Sequence, residues 1–86
     1  MAIEEVLSSR GRIRILKVLA RERELNISEI ARRAGLNYTT TRAHLDALEN
    51  AGIVRHRRFG RIRLYQFNNG NQKAETLRRL LEVWSE

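Results

Sequence analysis

Residues 28–50, SEIARRAGLNYTTTRAHLDALEN, decide how the rest of the chain is read. Ile30, Ala31 and Ala34 share one face of a short helix, and small Ala31 allows the next helix to approach closely. Ala34-Gly35-Leu36-Asn37 is a tight turn. Gly35 supplies the left-handed residue that ends a helix without a Cβ penalty. Asn37 supplies a side chain that accepts from the first free N–H groups of the next helix. In that longer helix Thr41, Leu45 and Leu48 repeat at i, i+4 and i+7 and mark the buried stripe. Thr39, Arg42, Ala43 and Asp46 fall on the opposite face, with Tyr38 at the N-terminal shoulder, and Ala51-Gly52 closes the helix. Two helices joined by a short turn that contains Gly form a helix-turn-helix.

Working outward, Ile3, Val6 and Leu7 make a short amphipathic turn, and Ser8-Ser9 interrupts it or caps the next helix. Arg10 to about Arg23 is a helix with Ile13, Leu16, Leu19 and Ala20 on one face, widened by Ile15 and Val18. Arg12, Arg14, Lys17 and Arg21 lie largely outside that face. Leu25-Asn26-Ile27 favours a short strand, a third and edge strand of a small sheet. Residues 53–68 form a β-hairpin with arms IVRHR and IRLYQFN and the tip Arg58-Phe59-Gly60-Arg61, where Gly60 supplies positive φ. Asn68-Asn69-Gly70-Asn71 is a turn, and a terminal helix over 71–85 carries Leu77, Leu80, Leu81 and Trp84 on one stripe. The fold class is mainly α with a small antiparallel β-hairpin (α+β), in one domain over 1–86.

The chain has 86 residues and a net charge of +7, with 15 Arg and 2 Lys. Arg suits planar, bidentate contact with phosphate and guanine edges. The excess is not uniform. Residues 37–63 carry 6 basic and 2 acidic side chains, whereas residues 64–86 carry 3 of each. Five of the basic residues, Arg55, Arg57, Arg58, Arg61 and Arg63, lie within nine positions around the hairpin tip. A GC-rich genome or a hot habitat would enrich Arg throughout, so this asymmetry points to a nucleic-acid face. There is no Cys, which excludes thiolate metal sites, a Cys nucleophile and disulfides. His44 and His56 have no clustered carboxylates, and no phosphate loop or Ser/His/Asp pattern occurs, so the expectation is no enzyme, no metal and no cofactor. No run reaches the roughly 18 apolar residues of a membrane span, and no signal peptide opens the chain, so a cytoplasmic, nucleoid-associated protein is expected.

The order of helix, short strand, helix, turn, helix, basic hairpin and helix is that of a winged helix-turn-helix domain. The segments SSRGRIRILKVLA, SEIARRAGLNYTTTRAHLDALENAGIV and RFGRIRLYQFN resemble ArsR-like transcriptional regulators, particularly small archaeal ones. The resemblance covers roughly residues 8–68. It implies that the second helix of the motif enters the major groove and that the hairpin wing reaches the flanking backbone or minor groove. Tyr38, Thr39, Arg42 and Ala43 would then face bases, and Asn37, Thr40 and His44 would lie near phosphates. Arg58 and Arg61 would make the strongest wing contacts, beside Arg55, Arg57 and Arg63. Metal-sensing relatives carry Glu-Leu-Cys-Val-Cys before the first helix of the motif. Here Glu24-Leu25-Asn26-Ile27-Ser28 stands in its place, so the soft-metal sensor site is absent there. Thr41 also replaces a frequent Val, which the fold tolerates if its hydroxyl bonds back one turn.

Several positions admit a purely structural use. Arg42 pairs with Asp46 at i+4 if it is not on DNA. Tyr38 stacks on the hairpin or touches a thymine methyl or phosphate. Thr39 and Thr40 cap the helix, grip a phosphate, or do both. Arg57 and Arg63 cover the outer face of the sheet. His44 packs at the helix–wing junction or donates to phosphate, and His56 is a surface strand residue. Ile3, Val6, Leu7, Leu77, Leu80, Leu81 and Trp84 cover the core or, since both chain ends need burial, pack against a second copy in an isologous dimer. The expected function is a homodimeric, sequence-specific double-stranded DNA binder, most simply a repressor reading an imperfect palindrome. A low-specificity architectural protein and a protein-interaction module are the competing readings. No effector-binding segment is legible, so a small-molecule effector stays unknown.

Overall fold

The computed structural model describes residues 1–84. The chain runs α1 (Ile3–Leu7), α2 (Arg10–Arg21), β1 (Leu25–Asn26), α3 (Ile27–Ala34), α4 (Tyr38–Asn50), β2 (Val54–Phe59), β3 (Ile62–Phe67) and α5 (Gln72–Trp84). The strands form one antiparallel sheet in the order β1-β3-β2. This is the winged-helix arrangement expected from the sequence, with boundary corrections. Ile27 opens α3 rather than extending the strand, because Asn26 caps that helix by accepting from the Glu29 N–H at 2.8 Å. Likewise α2 stops at Arg21 and not Arg23. Ser9 caps α2, its hydroxyl oxygen accepting from the Arg12 N–H at 3.2 Å. Asn71 caps α5 by accepting from the Lys73 and Ala74 N–H groups. The expected end of that helix at residue 85 lies outside the described residues.

One apolar core joins all the layers. Ile15, Leu16 and Leu19 of α2 are its centre, with Ile30 of α3, Leu45 and Leu48 of α4, and Tyr65 and Phe67 of β3. Ile13, expected on this face, is only half-buried, and Ile15, expected at its margin, is fully buried. Thr41 is the one buried polar side chain among the described residues, and its hydroxyl donates to the Asn37 carbonyl at 2.8 Å. The back-bond removes the cost of burying that oxygen.

The path of α4 is set at both ends of its packing. Gly35 lies at φ +70°, and across it the Leu36 N–H donates to the Ala31 carbonyl at 2.9 Å. The side of α4 that meets α2 is set by Gly11. A Cβ there would lie 3.3 Å from His44 Nε2 and 3.4 Å from Leu36, tighter than most real contacts, so its absence permits the approach. Beside it Arg12 Nε donates to His44 Nδ1 at 3.2 Å, and Arg12 Nη1 donates to the Glu5 carbonyl at 3.0 Å. One guanidinium thus ties α1, α2 and α4 together. Burial, and then the charge of Arg12, hold the His44 imidazole below its ordinary value near 6.5.

Two stability measurements check this arrangement. Gly35→Ala should cost about 1–2 kcal/mol in chemical denaturation, the price of a left-handed Cβ, since open space surrounds the position. His44 binds its proton more weakly when folded than when unfolded. Stability should therefore decline as pH falls below about 6.5 toward the lower folded value. His44→Gln should flatten that part of the profile; an unchanged slope in the variant would remove His44 as its source.

Candidate nucleic-acid interface

With Thr41, Leu45 and Leu48 turned inward, α4 presents Tyr38, Thr39, Arg42 and Ala43 to solvent. Asn37 Oδ1 accepts from the Thr40 N–H at 2.7 Å, so the cap uses one of the groups expected at phosphate. The N–H groups of Tyr38 and Thr39 precede the first intrahelical bond and point out of the helix. Arg42 Nε lies 3.9 Å from Asp46 Oδ2, with both side chains about half exposed. At that length an ion pair contributes little and leaves the guanidinium donors available.

The hairpin register is Val54↔Phe67, His56↔Tyr65, Arg58↔Arg63 on one face and Arg55↔Gln66, Arg57↔Leu64, Phe59↔Ile62 on the other. Only Gly60 and Arg61 remain as the turn, two residues where four were expected. The inner face continues into the core through Val54, Phe67 and Tyr65, which are buried. Arg57 and Arg63, expected together on the outer face, therefore lie on opposite faces, because positions paired across a two-residue turn differ in parity. Arg57 is engaged. Its Nε and Nη2 both donate to the Glu24 carboxylate at 2.9 Å, and these hydrogen bonds hold Glu24 below its ordinary pKa against the opposing effect of burial. Arg63 Nη1 donates to the Tyr65 hydroxyl at 3.4 Å. Arg58 and Arg61 are exposed and form no ion pair among the described residues, and Arg55, also exposed, acts on Glu24 only through its charge.

These parts meet in an open cleft of about 420 Å³ lined by Asn26, Ile27, Ser28, Tyr38, Arg42, Arg58, Arg61, Ile62 and Arg63. It joins the start of α3, the first half of α4 and the distal part of β3. Four guanidinium groups border it and no carboxylate does. Tyr38 thus borders the hairpin while staying half exposed.

Both histidines are placed differently from the sequence-based expectation. His44 turns to α2 and away from the hairpin, with Nδ1 accepting from Arg12 and Nε2 against Gly11. Its ring is occupied within the fold. His56 is no simple surface residue. Its Nδ1 lies 2.5 Å from Glu49 Oε2, its backbone N–H donates to the same oxygen at 3.1 Å, and its ring packs on Tyr65 at 5.1 Å. The pair anchors β2 to the last turn of α4. Among the described residues no group of three His, Cys, Asp or Glu side chains could hold a metal ion.

The terminal helices divide their apolar residues. Val6 is 5% exposed and belongs to the monomer core. Leu77 and Leu81 are half-buried against the core, so the stripe they were expected to form with Trp84 splits. Ile3, Leu7, Leu80 and Trp84 are exposed, as is Val83, which lies off the stripe expected from the sequence. Ile3 and Leu80 border an apolar groove of about 590 Å³ between α1 and α5, floored by Val6, Ile53 and Leu77. Among the described residues no helix is long and apolar enough to cross a membrane.

Comparison with known proteins agrees with this architecture. Residues 9–56 match the family described as bacterial regulatory protein, arsR family. The chain is 36% identical to the HTH-type transcriptional regulator YuzN of Bacillus subtilis, over 99% of this chain and 94% of that protein. The homodimeric winged helix-turn-helix DNA-binding domain Mb0332 of Mycobacterium bovis superposes with a TM-score of 0.77 at 31% identity, covering 96% of this chain and 74% of that one. The transcriptional repressor PagR of Bacillus anthracis superposes at 0.74 with 25% identity, covering 90% and 85%. The winged helix, the exposed helix α4 and the matched residues agree: the chain belongs to the arsR family of transcriptional regulators, a DNA-binding family and not one of enzymes.

Proposed function

We propose that the chain works as a homodimer that binds an imperfect palindrome in double-stranded DNA and represses transcription from it. The observation that carries this is the cleft in which Arg42 of α4 and Arg58 and Arg61 of the hairpin face the same space without an acidic neighbour on its border. In the proposed complex α4 lies in the major groove, where Tyr38, Thr39, Arg42 and Ala43 meet base edges. The outward N–H groups at the start of α4 meet a phosphate. Arg58 and Arg61 hold the flanking backbone, with Arg55 and Arg63 adding field. Arg57 contributes least, since leaving Glu24 would break two hydrogen bonds. The whole chain is then one DNA-binding unit acting on the nucleoid in the cytoplasm. The archaeal likeness of its three segments is part of the same proposal.

The homodimer is supported by the exposed Ile3 and Leu80 at the α1–α5 groove and by the exposed Val83 and Trp84 at the end of α5. It is supported also by the homodimeric state of the Mycobacterium bovis relative. A second reading, DNA coating with little sequence choice, has one observation in its favour. Arg10, Arg14 and Arg21 form an exposed stripe on α2, and none has an ion-pair partner among the described residues.

Selection from random duplexes, followed by titration at two salt concentrations, separates the readings. A recovered palindrome supports the regulator, and uniform binding with a steep salt slope supports the coating protein. No binding at low salt refutes both. Arg42→Ala should relax specificity at its base and weaken binding by about 1–3 kcal/mol. Arg58→Ala with Arg61→Ala should weaken all sequences alike and reduce the salt slope by about 0.9 for each phosphate no longer neutralised. If the two changes act identically, the division between reading and gripping is wrong. For assembly, light scattering at micromolar concentration should give twice the chain mass, and Leu80→Glu should halve it. A single-chain mass for the unaltered protein would refute the dimer.

A further inference from the structure

The outer face of the hairpin ends in two apolar side chains that the fold does not bury. Phe59 and Ile62 are direct cross-strand partners on either side of the Gly60–Arg61 turn. They are 67% and 47% exposed, whereas Tyr65 and Phe67 of the same hairpin are buried. Among the described residues no aromatic ring packs on Phe59; the only ring pair is His56 with Tyr65. A cross-strand aromatic and β-branched pair steadies a hairpin. That role is served equally by a pair sheltered near the base, and it does not call for the largest apolar side chain at the most solvated point.

The neighbours of the pair give it a use. Phe59 stands between Arg58 and the turn, and Arg61 adjoins Ile62, and both arginines are exposed and unpaired with acids among the described residues. Cations so placed draw the tip onto phosphates. The apolar side chains travel with them: Arg58 projects from the other face, but Arg61 and Ile62 border the same cleft and Phe59 is the cross-strand partner of Ile62. On a duplex, an apolar ring beside the phosphates finds its cover against the sugars and base steps of the minor groove. Side chains such as Phe and Ile inserted there unstack a step and kink the helix. Arg at the same tip is attracted by a narrow minor groove, so the charge and the wedge favour the same site.

We propose that Phe59, backed by Ile62, is a minor-groove wedge that partly unstacks one flanking base step and bends the bound duplex. This rests on the hairpin being a DNA contact, as proposed above, and adds an activity to it: each subunit would deform DNA as well as hold it. Sequence choice would then extend to flanking positions that no polar side chain reads, favouring flexible pyrimidine–purine steps at the wedge.

The test uses the full chain on a duplex bound at low salt, labelled at both ends for energy transfer and carrying 2-aminopurine singly at successive flank positions. The expected result is a bend of at least about 20° and a rise in 2-aminopurine fluorescence confined to one step per half-site. Phe59→Ala should abolish both and weaken binding while leaving the salt slope unchanged. Phe59→Leu should keep part of each. Thermal melts should fall only slightly, since the ring is exposed and one cross-strand pair adds little to the whole domain. A straight duplex with quenched 2-aminopurine throughout, or a full bend with Phe59→Ala, overturns the wedge. A change in the mass of the free protein on Phe59→Ala also overturns it, by making the pair a self-association surface. Failure of the underlying reading looks different. In that case Arg58→Ala with Arg61→Ala would leave affinity and salt slope unchanged, whereas failure of the wedge alone leaves that arginine effect intact.

Discussion

The Leu36 N–H reaches back to the Ala31 carbonyl across left-handed Gly35, and one residue later Asn37 starts the next helix by accepting from Thr40. Between these two closures the chain has no room for another path. The direction of α4 is therefore set locally, and its rotation about its own axis is set by what it must bury. Leu45 and Leu48 enter the core and Thr41 accompanies them because its hydroxyl has a carbonyl to bond. The outward face of α4 is what remains. Tyr38, Thr39, Arg42 and Ala43 are presented because the opposite side is committed, and the two close contacts with α2 at Gly11 and His44 keep the helix from rolling.

Electrostatics divides the arginines in the same way, by deciding which are held. Glu29 takes Arg32 and shares Arg33 with Glu22, Glu24 takes Arg57, and Glu75 and Glu82 hold Arg78. Each of these pairs is at the surface and contributes little to stability. Their consequence lies elsewhere: they neutralise the first helix of the motif, the middle of β2 at Arg57 and the terminal helix. The exposed arginines that form no ion pair among the described residues fall in two places, on the hairpin at Arg55, Arg58 and Arg61, and on and just after α2 at Arg10, Arg14, Arg21 and Arg23. The field of the hairpin group steers a polyanion to the tip and the cleft below it.

Much of this was legible in the chain because it is local. Gly35 and Asn37, the stripe Thr41, Leu45 and Leu48, the helix end at Gly52 and the basic hairpin all announce themselves within one or two turns, whereas Ser8-Ser9 reads equally as a break or a cap. The short edge strand was legible too, but over Leu25-Asn26-Ile27, one residue longer than it is. What escaped depends on residues far apart. Glu24 and Arg57 are joined across the sheet, and Arg12 and His44 across two helices, so neither pair has a sequence spacing to betray it. His56 looked like a surface residue because its neighbours are Arg55 and Arg57, but alternation on a strand puts it on the inner face beside Tyr65. The apolar stripe of α5 failed for a geometric reason. Leu77 and Leu81 lean on the core while Trp84, one turn on, has passed the end of it and is exposed. The placement of Val6 obeys the same logic from the other end, where the short α1 has a single side chain central enough to reach the core.

The hairpin turn carries the most consequence per residue. A one-residue slip exchanges the faces of every side chain beyond it. A three-residue turn would set Arg58 against Ile62 and carry Tyr65 and Phe67 out of the core, so their burial demands a turn of even length. A four-residue turn over 58–61 keeps those faces but withdraws Arg58 and Phe59 from the ladder. The observed two-residue turn instead pairs Arg58 with Arg63 and Phe59 with Ile62, carrying the ladder out to the tip. The core thus fixes the parity of the hairpin, and the length of the turn fixes how far its order extends. Arg58 and Arg63 are like charges placed directly across from one another, an arrangement that weakens a free hairpin. An anion lying along that face would relieve the repulsion, so the register that costs the isolated protein some stability is the one that suits a phosphate backbone.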